Sequence, residues 1–512
     1  MWNRSILLVT RTLLLFSMLW ITVHSRSPKR PFHFRDVSKA ARIGPVSTDK
    51  TSAPSIGDLN ADGFLDIVMC NHVSYPVEVY YGSRSGVFRR VLAFNDKADR
   101  HGTAVGDINN DGRADIVLAT ETNPWLTQFP AELAVTRRNG KLQRMKSRAS
   151  GLVGNIKSAA VRLLDVDRDG DLDLFILGRP KSTPGLHAIF KNKGDGTFER
   201  LWNTGIENAK AKVGFLVTDF DNDGFLDIFI FSPRVHLFRG LRNSRFVDVS
   251  RKVLPRIHKK HFSGAVAFDM DNDGDFDVYI SGGFRLKGAL VQGNDVLLEN
   301  RGGKFVDVSR KAGIPRGGGR VGITAADFDN DGLVDVFLPS IGPGRQRIRD
   351  IILRNLGNGK FQKYWNHGAQ GPLARDITYP SGAQAFDYNQ DGLVDVIVGT
   401  RYRDLDIPGL FSGTLRLFKN VMKTKNHYLI VNVPFLLRGK TTMDALVIVA
   451  TPNRKFYRRV GSVGESRTQS FVNQVHFGLG SNSKIRIVTI KLLDGTTVRK
   501  GPFSSNQMIT IP

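Results

Sequence analysis

One cysteine, Cys70, stands among 512 residues, so no internal disulfide can staple this chain. It falls in the apolar run Ile67-Val68-Met69-Cys70 and reads as a small buried hydrophobe rather than a reactive thiol. Acidic residues are also scarce: 48 Asp and Glu face 73 Lys and Arg, a formal net charge of +25, which excludes an acidic polyelectrolyte. Long apolar runs are nearly missing. The one present, Thr12 to Val23 behind Arg4 and Arg11, is short for a bilayer span and leads into Val23-His24-Ser25. It predicts a signal peptide over residues 1–25, cleaved after Ser25, and hence a secreted, extracellular protein; an uncleaved anchor is the rival reading. Beyond residue 25 no Asn-x-Ser/Thr sequence occurs, so nothing calls for N-glycans. An exported chain without disulfides needs another staple.

What is abundant points to one. With 52 Gly and 33 Phe, the composition fits a turn-rich all-β fold. Within it one nine-residue pattern, Asp58-Leu-Asn60-Ala-Asp62-Gly63-Phe-Leu-Asp66, recurs from Asp107, Asp165, Asp219, Asp269, Asp327 and Asp387 at intervals of 49, 58, 54, 50, 58 and 60 residues. Positions 1, 3, 5 and 9 carry Asp58, Asn60, Asp62 and Asp66 in the first copy and Asp107, Asn109, Asp111 and Asp115 in the second. Asp165, Asp167, Asp169 and Asp173 fill them in the third, and Asp219, Asp221, Asp223 and Asp227 in the fourth. Asp269, Asp271, Asp273 and Asp277 follow, then Asp327, Asp329, Asp331 and Asp335, then Asp387, Asn389, Asp391 and Asp395. Oxygens at 1, 3 and 5 converge when the backbone curls around a hard cation, and Gly at 6 permits the sharp turn, so about seven calcium sites are expected.

An EF-hand opens the same way but needs Glu at position 12, where this chain has Met69, Leu118, Ile176, Ile230, Ile280, Leu338 and Val398. Instead, a β-rich apolar run follows each position 9, as a buried strand requires. Five residues before each first Asp stands a small residue (Ala53, Gly102, Ala160, Gly214, Gly264, Gly322, Gly382), as expected of strands crowding a central axis. A Gly-rich hairpin completes the repeat, as in Phe190-Lys-Asn192-Lys-Gly194-Asp-Gly196-Thr-Phe198 and Leu353-Arg-Asn355-Leu-Gly357-Asn-Gly359-Lys-Phe361. Two hairpins per repeat make a four-stranded blade. The sequence therefore predicts a seven-bladed β-propeller over residues 31–420. After Leu415-Arg-Leu-Phe418-Lys-Asn420 the last repeat lacks an outer strand, whereas Phe34-Arg-Asp36-Val37-Ser38 matches the outer strand Phe305-Val-Asp307-Val308-Ser309. The N-terminal strand is thus expected to close the ring.

These loops with their small-residue inner strands resemble the FG-GAP (VCBS) repeats of integrin α-subunit propellers and related secreted proteins. The tail, residues 425–512, carries Asn426-His427-Tyr428-Leu429, Val460-Gly461-Ser462, His476-Phe477-Gly478-Leu479-Gly480 and Asp494-Gly495, and resembles the ASPIC/UnbV domain. Together they are similar to the cartilage acidic protein family, which implies an extracellular calcium-binding matrix or adhesion protein. The chain departs from that family in being basic, in its single cysteine, and in reading Leu492-Leu493-Asp494-Gly495 where the domain usually has a Trp-Pro-x-Gly turn. On its own residues, the alternation Ile485-Arg-Ile487-Val-Thr-Ile490-Lys-Leu492 makes the tail a small β-rich domain.

Of the 48 acids, 25 occupy the loop positions, leaving 23 against the 73 basic residues. Basic clusters at Arg137-Arg138, Lys141 to Arg148, Arg256 to His261, Arg345 to Arg349 and Arg454 to Arg459 make an anionic partner the expectation. Export favours an anionic glycan or a cell-surface protein over nucleic acid. No catalytic constellation stands out. His258 and His261 sit in a Lys/Arg run that repels metal ions, His476 lies in a Gly-rich turn, His101 reads as core, and no nucleophile motif occurs. The chain thus reads as a binding protein rather than an enzyme, the alternative being an extracellular polysaccharide-processing enzyme with reactive groups at the propeller axis.

Overall fold

A computed structural model describes residues 32–511 except 45–52, 71–75, 95–97, 99, 121–129, 146–148, 155, 179–186, 208, 210–213, 232–233, 258–261, 287–288, 292, 341–349, 371–377, 403–413 and 462–467. The expected signal peptide, His258, His261 and parts of three basic clusters lie outside the described residues. No helix among the described residues is long and apolar enough to cross a membrane.

Seven four-stranded antiparallel sheets follow one another between Phe34 and Asn420. In each, the strand entering a carboxylate loop is innermost and the strand leaving it is second. The remaining hairpin supplies the outer pair, interrupted in the fifth sheet by a small extra hairpin. The apolar runs flanking each loop dictate that order: Arg100–Gly106 with Asp115–Thr120, and Ser158–Leu164 with Asp173–Gly178, are buried along their whole length. Outermost strands such as Phe305–Asp307 bury one residue and expose the next two.

Consecutive inner strands pack against each other in chain order, and the small residue five places before each loop explains how closely. A methyl group built on Gly322 would fall 2.0 Å from Gly382 Cα, and one on Gly382 would fall 2.1 Å from Ala53 Cβ. The second contact joins the last sheet to the first, so the row closes into a β-propeller. Closure by the chain ends follows the sequence reading: Phe34–Asp36 pairs antiparallel with Thr414–Asn420 as the outer strand of the last sheet, in register from Phe34↔Asn420 to Asp36↔Phe418. Phe34 and Phe32 are buried there, edge-on to Phe328 at 5.7 and 6.5 Å.

The tail forms one sheet from Gln474–Gly480, His427–Asn432 and Gln507–Thr510, and a second from Lys455–Arg459, Leu446–Ala450, Ile487–Lys491 and Thr497–Lys500. It docks on the ring. Thr468–Val472 runs against the inner strands: the Gln469 N–H donates to Thr103 O at 2.8 Å and the Phe471 N–H to Ile56 O at 2.8 Å. The Gln469 side chain accepts from the Leu163 N–H at 2.6 Å and donates to Leu163 O at 2.9 Å. Tail residues Phe435, Met443 and Phe471 share one apolar cluster with the first three sheets.

Candidate metal centres

Each loop is held open by its own carboxylates. Position 1 accepts the N–H of the position-6 glycine through Oδ2 at 2.7–3.1 Å in all seven copies. That glycine has φ between 82° and 100°, the left-handed turn for which the sequence reserved it. Position 4 is left-handed too, from 55° at Gln390 to 69° at Arg168. Position 9 accepts twice. Its Oδ2 takes the N–H of position 2 at 2.8–3.2 Å. Its Oδ1 takes an N–H from the third strand, donated by Gly82, Thr136, Asn192, Gly240, Asn300, Asn355 and Asn420 at 2.7–2.9 Å.

The curl brings together side chains far apart along an extended strand. Carboxylate oxygens of Asp165, Asp167 and Asp173 lie within 4.8 Å of one another, as do those of Asp219, Asp221 and Asp227, of Asp269, Asp271 and Asp273, and of Asp327, Asp329 and Asp335. In the first, second and seventh loops an Asn at position 3 replaces one carboxylate. Such crowding disfavours the ionised form. Burial, offset in part by the backbone N–H groups, raises Asp58 and Asp107 to about 6 and Asp165, Asp269 and Asp387 to about 7. At position 9, where burial is nearly complete, it lifts Asp227 to about 8 and Asp277 to about 9.

The donor set fits a hard cation. Asn109 Oδ1, Asp165 Oδ1, Asp221 Oδ1 and Asn389 Oδ1 are buried with no hydrogen-bond partner, which costs free energy unless something else coordinates them. Several of these aspartate clusters could thus hold metal ions, through all-oxygen ligands of the kind that suits calcium.

Two features escaped the sequence reading. Amides at position 4 link five of the seven loops to the next, Ala61 and Arg168 standing there in the first and third: Asn110 Nδ2 donates to Asp171 at 2.6 Å, Asn222 to Asp275 at 3.0 Å, Asn272 to Gly332 O at 3.0 Å and Asn330 to Gly392 O at 2.9 Å. Gln390 Nε2 closes the circle onto Gly63 O of the first loop at 2.7 Å. Secondly, Asn192, Asn300, Asn355 and Asn420 each donate Nδ2 to the position-2 carbonyl of the preceding loop at 2.7–2.8 Å, latching sheet to sheet. A partial signal was present: an amide stands two residues before Gly in five of the seven loops and in the hairpins at Asn192, Asn300 and Asn355.

The tail covers the same face. Asp444 accepts from Thr218 Oγ1 at 2.9 Å and pairs with Arg459 at 3.2 Å; Arg459 also donates to Asp219 O at 2.9 Å. The Thr441 N–H donates to Gly170 O, Gln474 Nε2 to Gly63 O and Asn426 Nδ2 to Asp329 O. This corrects the reading of Arg454 to Arg459 as one surface cluster. Arg454 and Lys455 are exposed, but Arg458 and Arg459 turn inward: Arg459 pairs with Asp444 and donates to Asp219 O, and Arg458 faces Asp327 and Asp269. Burial lowers the Arg458 pKa, while Asp327 and Asp269 beside it hold its charge. His476 lies in the strand Gln474–Gly480 rather than in the expected turn, and it is structural: its Nε2 meets Gly392 O at 3.0 Å, its ring stacks on Tyr428, and burial holds it neutral at about 4. His101 and Cys70 are buried, as expected of core residues.

The model of the FG-GAP-like repeat matches residues 58–118, 165–230 and 289–338. Cartilage acidic protein 1 of Xenopus tropicalis is 25% identical over 465 residues, 84% of this chain and 68% of that protein. The Mus musculus and Homo sapiens proteins of that name are 27% and 26% identical over 237 residues, 43% of this chain. The match spans only about a third of their length, 35% and 34%. Among solved structures, the Dos1 propeller matches 72% of this chain and 78% of its own at a TM-score of 0.40 and 11% identity. An exotype rhamnogalacturonan lyase, YesX, matches 91% and 92% at 0.35 and 11%.

Proposed function

As a chain of FG-GAP-like repeats related to cartilage acidic protein 1, this protein is, we propose, a secreted seven-bladed propeller stapled by calcium. It binds an anionic extracellular partner, a glycan or a cell-surface protein, and transforms nothing. The 28 side chains at positions 1, 3, 5 and 9 of the loops would hold the ions, and each ion would neutralise clustered carboxylates and tie an inner hairpin together. At the axis, where a propeller could present reactive groups, the backbone of Thr468–Val472 is bonded to the inner strands, and a cavity of about 140 Å³ lined in part by Arg162, Asp444 and His476 remains beside it.

The observation that carries the anionic partner is a rim groove of about 760 Å³ between the third and fourth sheets. Trp202 is 61% exposed beside it, with Arg200 3.8 Å over its ring. Arg168 stacks on Phe225 at 4.7 Å, and Arg242 and Arg245 are exposed at the mouth. The two acids in the lining are already neutralised, Asp167 by Lys191 and Asp494 by Lys440. A flat aromatic face among unneutralised guanidiniums suits a carboxylated or sulfated sugar ring.

The test is retention on heparin. Trp202→Ala with Arg242→Gln and Arg245→Gln should elute at clearly lower salt than Arg499→Gln with Lys500→Gln, which removes equal charge from an exposed strand of the tail. Equal shifts for the two variants would reduce the reading to non-specific attraction by net charge.

A further inference from the structure

We infer that the seven loops are unequal, and that the fifth, Asp269–Asp277, holds its metal ion most tightly because Glu299 stands where sibling repeats place a cation. The inference rests on the reading of the loops as cation sites.

The deciding position is the third-strand residue immediately before the N–H that caps position 9. Around the ring it is Tyr81, Val135, Lys191, Arg239, Glu299, Arg354 and Lys419. Its side chain leans over loop positions 3 and 5. Arg239 meets Asp221 at 2.7 Å and Asp223 at 2.8 Å; Arg354 meets Asp329 at 2.6 Å and Asp331 at 3.1 Å. Lys419 meets Asp391 at 2.9 Å, and Lys191 bridges Asp167 and Asp169. In the second loop, where Val135 has no charge to offer, Arg113 at position 7 pairs with Asp111 instead.

Five loops therefore carry an internal cation on the oxygens that a metal ion would use. That side chain takes up acceptor lone pairs and cancels part of the attraction, so an entering ion must share the carboxylates or displace it. In the first and fifth loops no Lys or Arg pairs with positions 3 and 5 among the described residues. The first has only three carboxylates at its four positions. The fifth has four, a further one at Asp275, and Glu299 in place of the cation. Glu299 is held by Arg301 at 2.8 and 3.0 Å, but that arginine is 57% exposed and its charge is screened by water. Arg458 faces Asp327 and Asp335 of the sixth loop as well as Asp269 of the fifth, so it weakens both loops and does not by itself favour the sixth.

The experiment is a calorimetric calcium titration of the full chain after removal of bound ions. Wild type should show one site at least about tenfold tighter than the rest. Glu299→Lys, which installs the sibling cation, should abolish that tight step while leaving the weaker class, and Glu299→Gln should weaken it by less. The reciprocal Arg354→Glu should create a second tight site in the sixth loop. Melting curves in excess calcium establish that each variant is folded, and Glu299→Gln carries the test if Glu299→Lys is not. A tight step that survives Glu299 substitution in a folded variant overturns the ranking. A wild-type chain that takes up no calcium at all overturns the loop reading beneath it, a visibly different result.

Discussion

The acidic loop face of the ring meets a basic tail, although residues 32–424 as a whole hold 55 Lys and Arg against 45 acids. The ring gathers 25 carboxylates at seven loops, whereas residues 425–512 hold 13 Lys and Arg against three acids. Each region alone is poorly balanced. The ring crowds carboxylates whose first and ninth loop positions are buried, and the tail buries Arg458 and Arg459. Face to face, they compensate each other in part. The excess of +25 is therefore not all addressed to an outside partner: some of it is the internal complement of an acidic face. The rim beside Trp202, where Arg242 and Arg245 are exposed, is the partner site proposed above.

The comparison can be broken first at the seam of the ring, where the largest effect is expected. Deleting residues 31–43 removes the strand paired with Thr414–Asn420 and uncovers that edge, together with the Phe328 face that Phe32 and Phe34 cover. Size-exclusion chromatography should show loss of the monomer to aggregates or swapped dimers, with the tail unable to rescue it. A monomeric deletion with an unchanged melting temperature would show that the ring does not depend on its seam.

A smaller effect tests the joint between ring and tail. Arg459→Ala leaves Asp444 without its charged partner, Thr218 alone among side chains still bonding it, and should cost about 3 kcal/mol in denaturant unfolding, while Arg459→Ala with Asp444→Ala should recover part of that loss. Additive losses would mean that the two side chains do not act as a pair.

A third test is a pH dependence centred on the ring. The position-1 carboxyls of the first, second, third, fifth and seventh loops sit at about 6 to 7, against 3.8 in an unfolded chain, chiefly through burial. A group whose folded pKa is raised holds more protons folded than unfolded, so calcium-free stability falls as pH climbs from about 4 through 7. Calcium takes the ionised form, so the melting-temperature gain from saturating calcium should be larger at pH ~7.5 than at pH ~5. His187, His367 and His476, each lowered to about 4 by burial, titrate with or without calcium and drop out of that difference. An equal gain at both pH values would detach the carboxyls from the effect.

The parts legible in the sequence were those written as local spacing. Asp58 to Asp66 and its six copies announce the loop, Gly63 its turn, and the match of Phe34–Ser38 to Phe305–Ser309 the closing strand. What could not be read depends on partners hundreds of residues away. Nothing near Gln390 says that its amide reaches Gly63, and nothing near Gln469 says that it bonds Leu163. Arg458 and Arg459 were misplaced for a related reason. A run of charges looks solvated until its docking partner is known, here Asp444 and the ring loops. The inequality of the loops lay between these cases: Lys191, Arg239, Glu299, Arg354 and Lys419 align once the repeat is set on the Gly-rich hairpin, but only geometry shows that this column faces the ligands.

The account stands on calcium as the staple that disulfides do not provide, and a melting curve of the full chain with and without chelator tests it most directly. At tenfold saturation each site adds roughly 1.4 kcal/mol, so seven add about 10 kcal/mol, comparable to the stability of a whole domain. EDTA should lower the melting temperature by more than about 10 °C, and calcium, more than magnesium, should restore it. A melting temperature indifferent to EDTA would contradict the staple, whatever else the ring binds.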